Sequence, residues 1–235
     1  MSDTDSFIDE VTDELRRDQL FAKMRRYAPI AVAAVLLLVG GAAYNEYRKA
    51  STRAEAEALG DAMLVALDSS EATERADALA DISSENAQAA AVLKLLTASE
   101  QISADARAEA IANLQAVAGS GDVPLIYRQV AQFKALTLQT DTLPAADRRA
   151  GFDGLAGAGG ALGLLAREQI ALIEIEEGNA EAAIATYQDV LTSAEVTPDL
   201  QQRALQVIVA LGGEPDFDRM ADPQGAGAPT DETDG

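Results

Sequence analysis

A run of nineteen residues without a charge, YAPIAVAAVLLLVGGAAYN at positions 27–45, most constrains the fold of this chain, in which 24% of all residues are charged. An α-helix rises about 1.5 Å per residue, so the run covers about 28 Å, close to the roughly 30 Å hydrocarbon core of a bilayer. The sequence therefore predicts a transmembrane helix over residues 27–47. Tyrosine rings and basic side chains favour the two membrane interfaces, and those predicted to lie there are Tyr27, Tyr44, Tyr47, Arg25, Arg26, Arg48 and Lys49.

Two alternatives for this run are a cleaved signal peptide and a buried helix of a soluble domain. The small residues Gly41, Ala42 and Ala43 could form a cleavage site. However, the preceding segment 1–26 contains seven acidic and five basic residues, which is too long and too acidic for the basic start of a signal peptide. An uncleaved anchor is the favoured interpretation.

The basic residues on either side of the predicted span indicate its orientation. Five precede it within residues 16–26 and three follow it within residues 48–53, and the more basic side stays in the cytoplasm. We expect residues 1–26 to form a cytoplasmic amphipathic segment, and the C-terminal domain to lie outside the inner membrane, in the periplasm of a bacterial cell.

The composition excludes several classes of function. The formal net charge is −21, and such a surface repels nucleic acid. The chain contains no cysteine and no histidine, which removes thiol chemistry, the commonest general base and the commonest zinc ligand. We expect a protein that is not an enzyme, with no metal, no cofactor and no small-molecule substrate.

Beyond the span, the sequence predicts an all-α fold, because alanine-rich segments of helical period alternate with short breaks and no β-strand pattern occurs. Residues 48–83 are expected to form a helical stalk and short helices, residues 84–213 a helical domain, and residues 214–235 a disordered acidic tail. Ser83 and Ser84 are candidate N-caps for the first helix of the domain. Its helices are predicted at 85–102, 104–118, 123–139, 145–156, 160–177, 179–193 and 198–211.

The last helix pair carries the spacing of a tetratricopeptide repeat. Ala171 precedes Gly178 by seven residues, and Ala183 and Tyr187 follow it by five and nine. The two alanines would let the helices approach closely, the glycine would close the turn, and the tyrosine would fill the gap to the next helix. Ala110 is a weaker counterpart of Ala183. The alternative is a generic helical bundle.

Two other patterns bear on chemistry. Gly157, Gly159 and Gly163 imitate a dinucleotide-binding loop, but position 162 is leucine and no strand is predicted before the loop, so we reject cofactor binding. The basic residues Arg128, Arg148 and Arg149 are rare in an acidic domain. They could contact a partner, but internal ion pairs are the favoured interpretation.

The acidic DSFIDEV opening, LRRDQLFAKMRRY before the span, GGAAYNEYRK after it and the repeat-like pairs resemble the YfgM-like proteins in their alphaproteobacterial form. These are ancillary subunits of the SecYEG translocon, and the resemblance extends to about Gly213. It implies a single-pass inner-membrane protein whose tetratricopeptide-like domain lies in the periplasm, near the Sec translocon, periplasmic chaperones and exported client proteins. It implies no catalytic residues.

The predicted function is therefore a membrane-anchored protein-interaction module that takes part in handling exported proteins. The alternative is a structural or coordinating subunit of another inner-membrane or envelope complex, such as one of cell division, in which the span itself binds the partners.

Overall fold

The computed structural model describes the backbone of residues 3–217 and 219, and the side chains of residues 32–217 and 219. All regular structure in this part of the chain is α-helical, which confirms the all-α prediction. The nine helices of the described part are α1 (Asp3–Ala66), α2 (Ala72–Ala80), α3 (Ala87–Ser103), α4 (Arg107–Ala118), α5 (Leu125–Leu138), α6 (Ala145–Ala156), α7 (Gly160–Glu176), α8 (Ala180–Leu191) and α9 (Pro198–Ala210).

The chain divides into two compact units, Met1–Asp61 and Ala62–Gly235. In the first unit, every residue at positions 32–50 belongs to α1 and is exposed. The side chains of the predicted cytoplasmic segment 1–26, and of the first five residues of the predicted span, lie outside the described ones. Where side chains are described, no helix offers an apolar stretch long enough to cross a membrane.

In the second unit, helices α2 to α9 follow one another through short turns, and each packs against the next. Among alternate helices, α3 contacts α5 and α5 contacts α7, so these three form one layer of the array. The helix α6 has its predicted bounds, and the ends of α3, α4, α5, α7, α8 and α9 differ from prediction by three residues or fewer.

Two of these helices, α3 and α9, begin at residues whose side chains cap the first turn with a hydrogen bond. The side chain of Asn86 accepts a hydrogen bond from the Ala89 amide at 3.0 Å and caps α3. The prediction of a cap at Ser83 or Ser84 is therefore wrong, because the chain stays non-helical as far as Asn86. Thr197 caps α9 in the same way, and Pro198 occupies its first position, where a missing amide hydrogen costs little.

The hydrophobic core is divided along the array into successive clusters. One cluster lies among α3, α4 and α5, the next among α5, α6 and α7, and the others among α7, α8 and α9. A core of this kind, in which each helix contacts only near neighbours, is typical of helical repeat arrays. The stability of each part therefore depends on the few helices around it.

Candidate interaction surface

The residues predicted to pack the last helix pair lie where α7, α8 and α9 meet. Ala171 and Ala183 are 0% exposed and Tyr187 is 1% exposed, and all three belong to one cluster. Gly178 lies between α7 and α8 with φ +80°, a backbone conformation in which a side chain is strained. The next amide, that of Asn179, donates to the Glu174 carbonyl at 2.8 Å and closes the turn.

The pair α3 and α4 repeats this arrangement earlier in the chain. These helices begin at residues 87 and 107, and α7 and α8 begin at 160 and 180, 73 residues later in both cases. Ala98 and Ala110 occupy the positions of Ala171 and Ala183, and both are 0% exposed. Asp105 occupies the position of Gly178 and has φ +60° although it carries a side chain.

A side-chain hydrogen bond within each of these two pairs shows the same equivalence. Asn113 of α4 donates to Gln101 of α3 at 2.9 Å. Thr186 of α8 donates to Glu174 of α7, also at 2.9 Å, and both partners lie 73 residues after their counterparts. This bond was not predicted from the sequence, because asparagine with glutamine and threonine with glutamate share hydrogen-bonding chemistry but not identity.

The helix α6 is the third copy of the second helix. In α4, α6 and α8, the fourth, eighth and eleventh residues are buried. In α6 these are Arg148, Phe152 and Leu155, so Phe152 takes the place of Tyr187 and Arg148 the place of a small alanine. This arginine concealed the copy from the sequence analysis, since the repeat pattern requires a small residue there.

The internal ion pairs predicted for Arg148 and Arg149 are present. Arg148 donates to Glu176 at 2.6 Å, and Arg149 donates to Glu174 at 3.2 Å and to Glu177 at 2.8 Å, so α6 is bound to α7. The expectation for Arg128 is wrong within the described residues, where it makes no ion pair and its buried Nε atom has no hydrogen-bond partner.

Tyr187 lies close to the ion pair between α9 and α7. Arg203 donates two hydrogen bonds to Glu168, both at 2.8 Å, and Glu168 is largely buried. Burial, and then the negative charge of Glu168, raises the pKa of Tyr187 to about 12, although the positive charge of Arg203 acts in the opposite direction. The folded state therefore favours the protonated phenol.

We expect the free energy of unfolding to fall with rising pH between about pH 10 and about pH 12 because of Tyr187. In this range the unfolded tyrosine, with an ordinary pKa near 10, releases its proton while the folded one keeps it. The stabilisation that Tyr187 contributes to the folded state is fully present below that range and is lost as pH rises through it. Urea unfolding across the range measures the slope. The variant Tyr187→Phe should show a shallower decline, and equal slopes for the two proteins would contradict the raised pKa.

A face of the α3, α5 and α7 layer exposes apolar side chains, and the exposed charges at the same helical spacing are Lys134 of α5 and Glu176 of α7. Its residues are spaced three, four or seven apart, so they lie on one side of each helix. The most exposed are Val92, Ile102, Ile126 and Leu172, at 37%, 40%, 55% and 43%. We call this face the outer stripe, and it consists of Gln88, Val92, Ser99 and Ile102 of α3, Ile126, Val130 and Thr137 of α5, and Ala161, Leu165 and Leu172 of α7.

The outer stripe was not predicted from the sequence. Its signal was an uncharged set of residues at helical spacing that recurs in α3 and α7, for example Val92 and Leu165, or Ser99 and Leu172, at a separation of 73 residues. Exposed apolar surface of this kind often marks a protein interaction site.

The predicted membrane-interface residues can be placed only in part. Tyr44 and Tyr47 are 66% and 72% exposed. Arg48 and Lys49 are exposed and make no ion pair with a described residue. Tyr27, Arg25 and Arg26 have side chains outside the described part.

The glycine-rich segment and the start of the predicted tail can also be placed. Gly157 and Gly159 lie between α6 and α7, so a helix precedes the segment. Near the chain end, Gln188 of α8 donates to the Glu214 carbonyl at 3.2 Å, and Arg219 pairs with Asp189 at 3.0 Å. Residues 218 and 220–235 of the predicted tail lie outside the described part.

Comparison of the chain with protein-family models, with curated proteins and with solved structures found no significant match.

Proposed function

We propose that this chain is a non-enzymatic, membrane-anchored protein-interaction module whose tetratricopeptide-like domain binds polypeptide partners through the outer stripe. The outer stripe is the single observation that carries the proposal. It presents exposed apolar side chains on three adjacent helices of an acidic domain. A partner would bury these side chains and gain roughly 1.5–3 kcal/mol for each large one that becomes fully buried.

The anchor is supported by the apolar part of α1. The large side chains at positions 32, 35, 36, 37, 38 and 39 are 57–77% exposed, and they point to all sides of the helix. A helix that is apolar on every side normally lies in a protein core or in a membrane. We therefore place residues 27–47 in the inner membrane as a single span, with the N-terminus in the cytoplasm and the repeat domain in the periplasm.

The resemblance to the YfgM-like family suggests the partners. They are the Sec translocon, periplasmic chaperones or exported clients. Tethering to the membrane raises the effective concentration of a weak binding surface near such partners. In the second candidate function, the span binds inside another inner-membrane or envelope complex, such as one of cell division. The exposed small residues Ala33, Ala34, Gly40 and Gly41 favour it, because they let another helix approach closely.

In-cell photo-crosslinking of the full-length chain tests the proposal. A photoreactive residue is placed at Leu172 of the outer stripe, at Ala185 on the exposed side of α8, or at Leu38 of the predicted span. We expect translocon, chaperone or exported proteins to crosslink at position 172 and not at position 185. Crosslinks at position 38 alone would favour the second candidate, and the absence of any such protein at position 172 would refute the first.

A charge in the outer stripe should weaken the same interaction. We expect Leu172→Asp to reduce crosslinking from a photoreactive residue at Val92 by about tenfold or more, because the loss of one apolar contact and the burial of a charge each cost over 1 kcal/mol. Ala185→Asp is the matched control, since it adds the same charge to an exposed position of α8. Equal effects of the two substitutions would show that net charge, rather than the stripe, governs binding.

A further inference from the structure

The middle pair, α5 and α6, lacks the contacts that hold the two outer pairs together. In α3 with α4, and in α7 with α8, two facing alanines are fully buried. In the middle pair these two positions hold Leu136 and Arg148. A leucine and an arginine fill more space than two alanines, so α5 and α6 cannot approach as closely, and contact between them is thinner than between any other neighbouring helices from α2 to α9.

The hydrogen bond within each outer pair is also missing from the middle pair. Gln139 takes the position of Gln101, and Gly151 takes the position of Asn113. With no side chain to meet across the pair, Gln139 donates to the Ala135 carbonyl of its own helix at 2.9 Å. An added Cβ at position 151 would lie 2.6 Å from Cδ1 of Leu136, so a larger residue there would force the leucine side chain to shift.

The contacts across the middle pair are apolar. Leu136 lies over Gly151, and the rings of Phe133 and Phe152 meet edge to face with centroids 5.7 Å apart. Among the described residues, no side-chain hydrogen bond or ion pair joins helices α2–α5 to helices α6–α9, since Arg148 reaches back only to the Leu143 carbonyl just before α6.

On each side of this boundary the helices are joined by polar side chains. In the first group, Arg75 binds Glu100, Asn113 binds Gln101, and Gln88 donates to Tyr127. In the second group, the joining contacts are those of Arg148 and Arg149 with α7, of Thr186 with Glu174, and of Arg203 with Glu168.

We propose that α5 and α6 form a joint at which the array opens, with α2–α5 and α6–α9 moving as two rigid blocks. Apolar contacts lack the directionality of hydrogen bonds, so they offer less resistance to sliding and rotation of one helix against the other. The outer stripe crosses this joint, because its residues on α3 and α5 belong to the first block and those on α7 to the second. Opening therefore changes the width of the stripe while each block keeps its shape. The joint does not depend on the identity of any partner.

Distance distributions between spin labels test the joint in the full-length chain. The chain has no cysteine, so single cysteines can be introduced and labelled without background. The pair Ala112→Cys with Ala185→Cys joins equivalent exposed positions of α4 and α8, one in each block. The control pairs are Asp77→Cys with Lys134→Cys in the first block and Asp153→Cys with Gln202→Cys in the second, all at exposed positions.

We expect the distribution between blocks to be roughly twice as wide as either control, as for two bodies that rotate about a hinge. The double variant Leu136→Ala with Gly151→Asn should narrow it to the control width, because alanine makes room for an asparagine that can bond Gln139 as Asn113 bonds Gln101. Gly151→Asn alone should widen it, since the new side chain meets Leu136. A distribution between blocks as narrow as the controls in the unmodified background would overturn the proposal even if a variant fails to fold. An unchanged width in a folded double variant would overturn it as well.

Discussion

Replacing Tyr187 by alanine is expected to lower the free energy of unfolding by about 3–5 kcal/mol, the usual cost of removing a large buried aromatic side chain. The ring is 1% exposed and lies between α7, α8 and α9, where it contacts the same cluster as Ala171 and Ala183. Small domains are stable by only about 5–15 kcal/mol in total, so this single change should remove a large share. Urea denaturation of the full-length chain measures it.

Two control variants test whether the loss comes from the buried ring of Tyr187. One removes only its hydroxyl group, and the other removes a less buried tyrosine elsewhere. Tyr187→Phe keeps the ring and should cost much less than the alanine variant. Tyr127→Ala removes a partly buried tyrosine of α5 that accepts a hydrogen bond from Gln88, and it should cost less than Tyr187→Ala. Because each cluster involves only neighbouring helices, hydrogen exchange should rise mainly in α7–α9. A loss below about 1 kcal/mol would mean that the ring does not support the last pair.

Much of the helical domain could be predicted from the sequence because proline and glycine mark several breaks between its helices. Pro144 before α6 and Pro198 at the start of α9 fix the backbone where each helix begins. The glycine at position 178 ends the turn after α7. The spacing of Ala171, Ala183 and Tyr187 carries geometric information, since residues at these distances meet when two helices fold back on each other.

The first and middle pairs were harder to recognise because they carry other residues at positions where the repeat pattern has glycine or alanine. Asp105 adopts a turn conformation that normally selects glycine, so the glycine of the repeat pattern is absent there. Arg148 is buried in the place of an alanine, and only its ion pair with Glu176 and its bond to the Leu143 carbonyl make this tolerable. A pattern that expects a small residue cannot anticipate such a compensation, because the compensating groups come from other helices.

The outer stripe could not be predicted from the sequence for a different reason. Val92, Ile126 and Leu172 are ordinary apolar residues at helical spacing, and such residues are usually core. Only the packing shows that other sides of these helices, with Ala98, Ala135 and Ala171, already fill the core. The most exposed apolar side chains of the stripe are therefore not needed to fill the core, which is why we assign them to binding.

Replacing both Leu37 and Leu38 by arginine is expected to release the chain from the membrane. Leu37 lies at the centre of the predicted span 27–47, and the two side chains are 77% and 74% exposed. Each arginine at the centre of a span costs roughly 2.5–3.5 kcal/mol, so the two together disfavour insertion by several kilocalories per mole. At about 1.4 kcal/mol for each factor of ten, this is a change of over a thousandfold in the inserted fraction.

The matched control for this experiment lies in the same helix. Leu64 and Val65 are adjacent apolar residues of α1, 69% and 76% exposed, and they lie outside the predicted span. Leu64→Arg with Val65→Arg adds the same charge and should leave the chain in the membrane fraction after alkaline carbonate extraction, as should the unmodified chain. If the double variant Leu37→Arg with Leu38→Arg also stays in the membrane fraction, residues 27–47 do not anchor the protein. The outer stripe would then gain no effective concentration from an anchor, and that part of the proposed mechanism would be wrong.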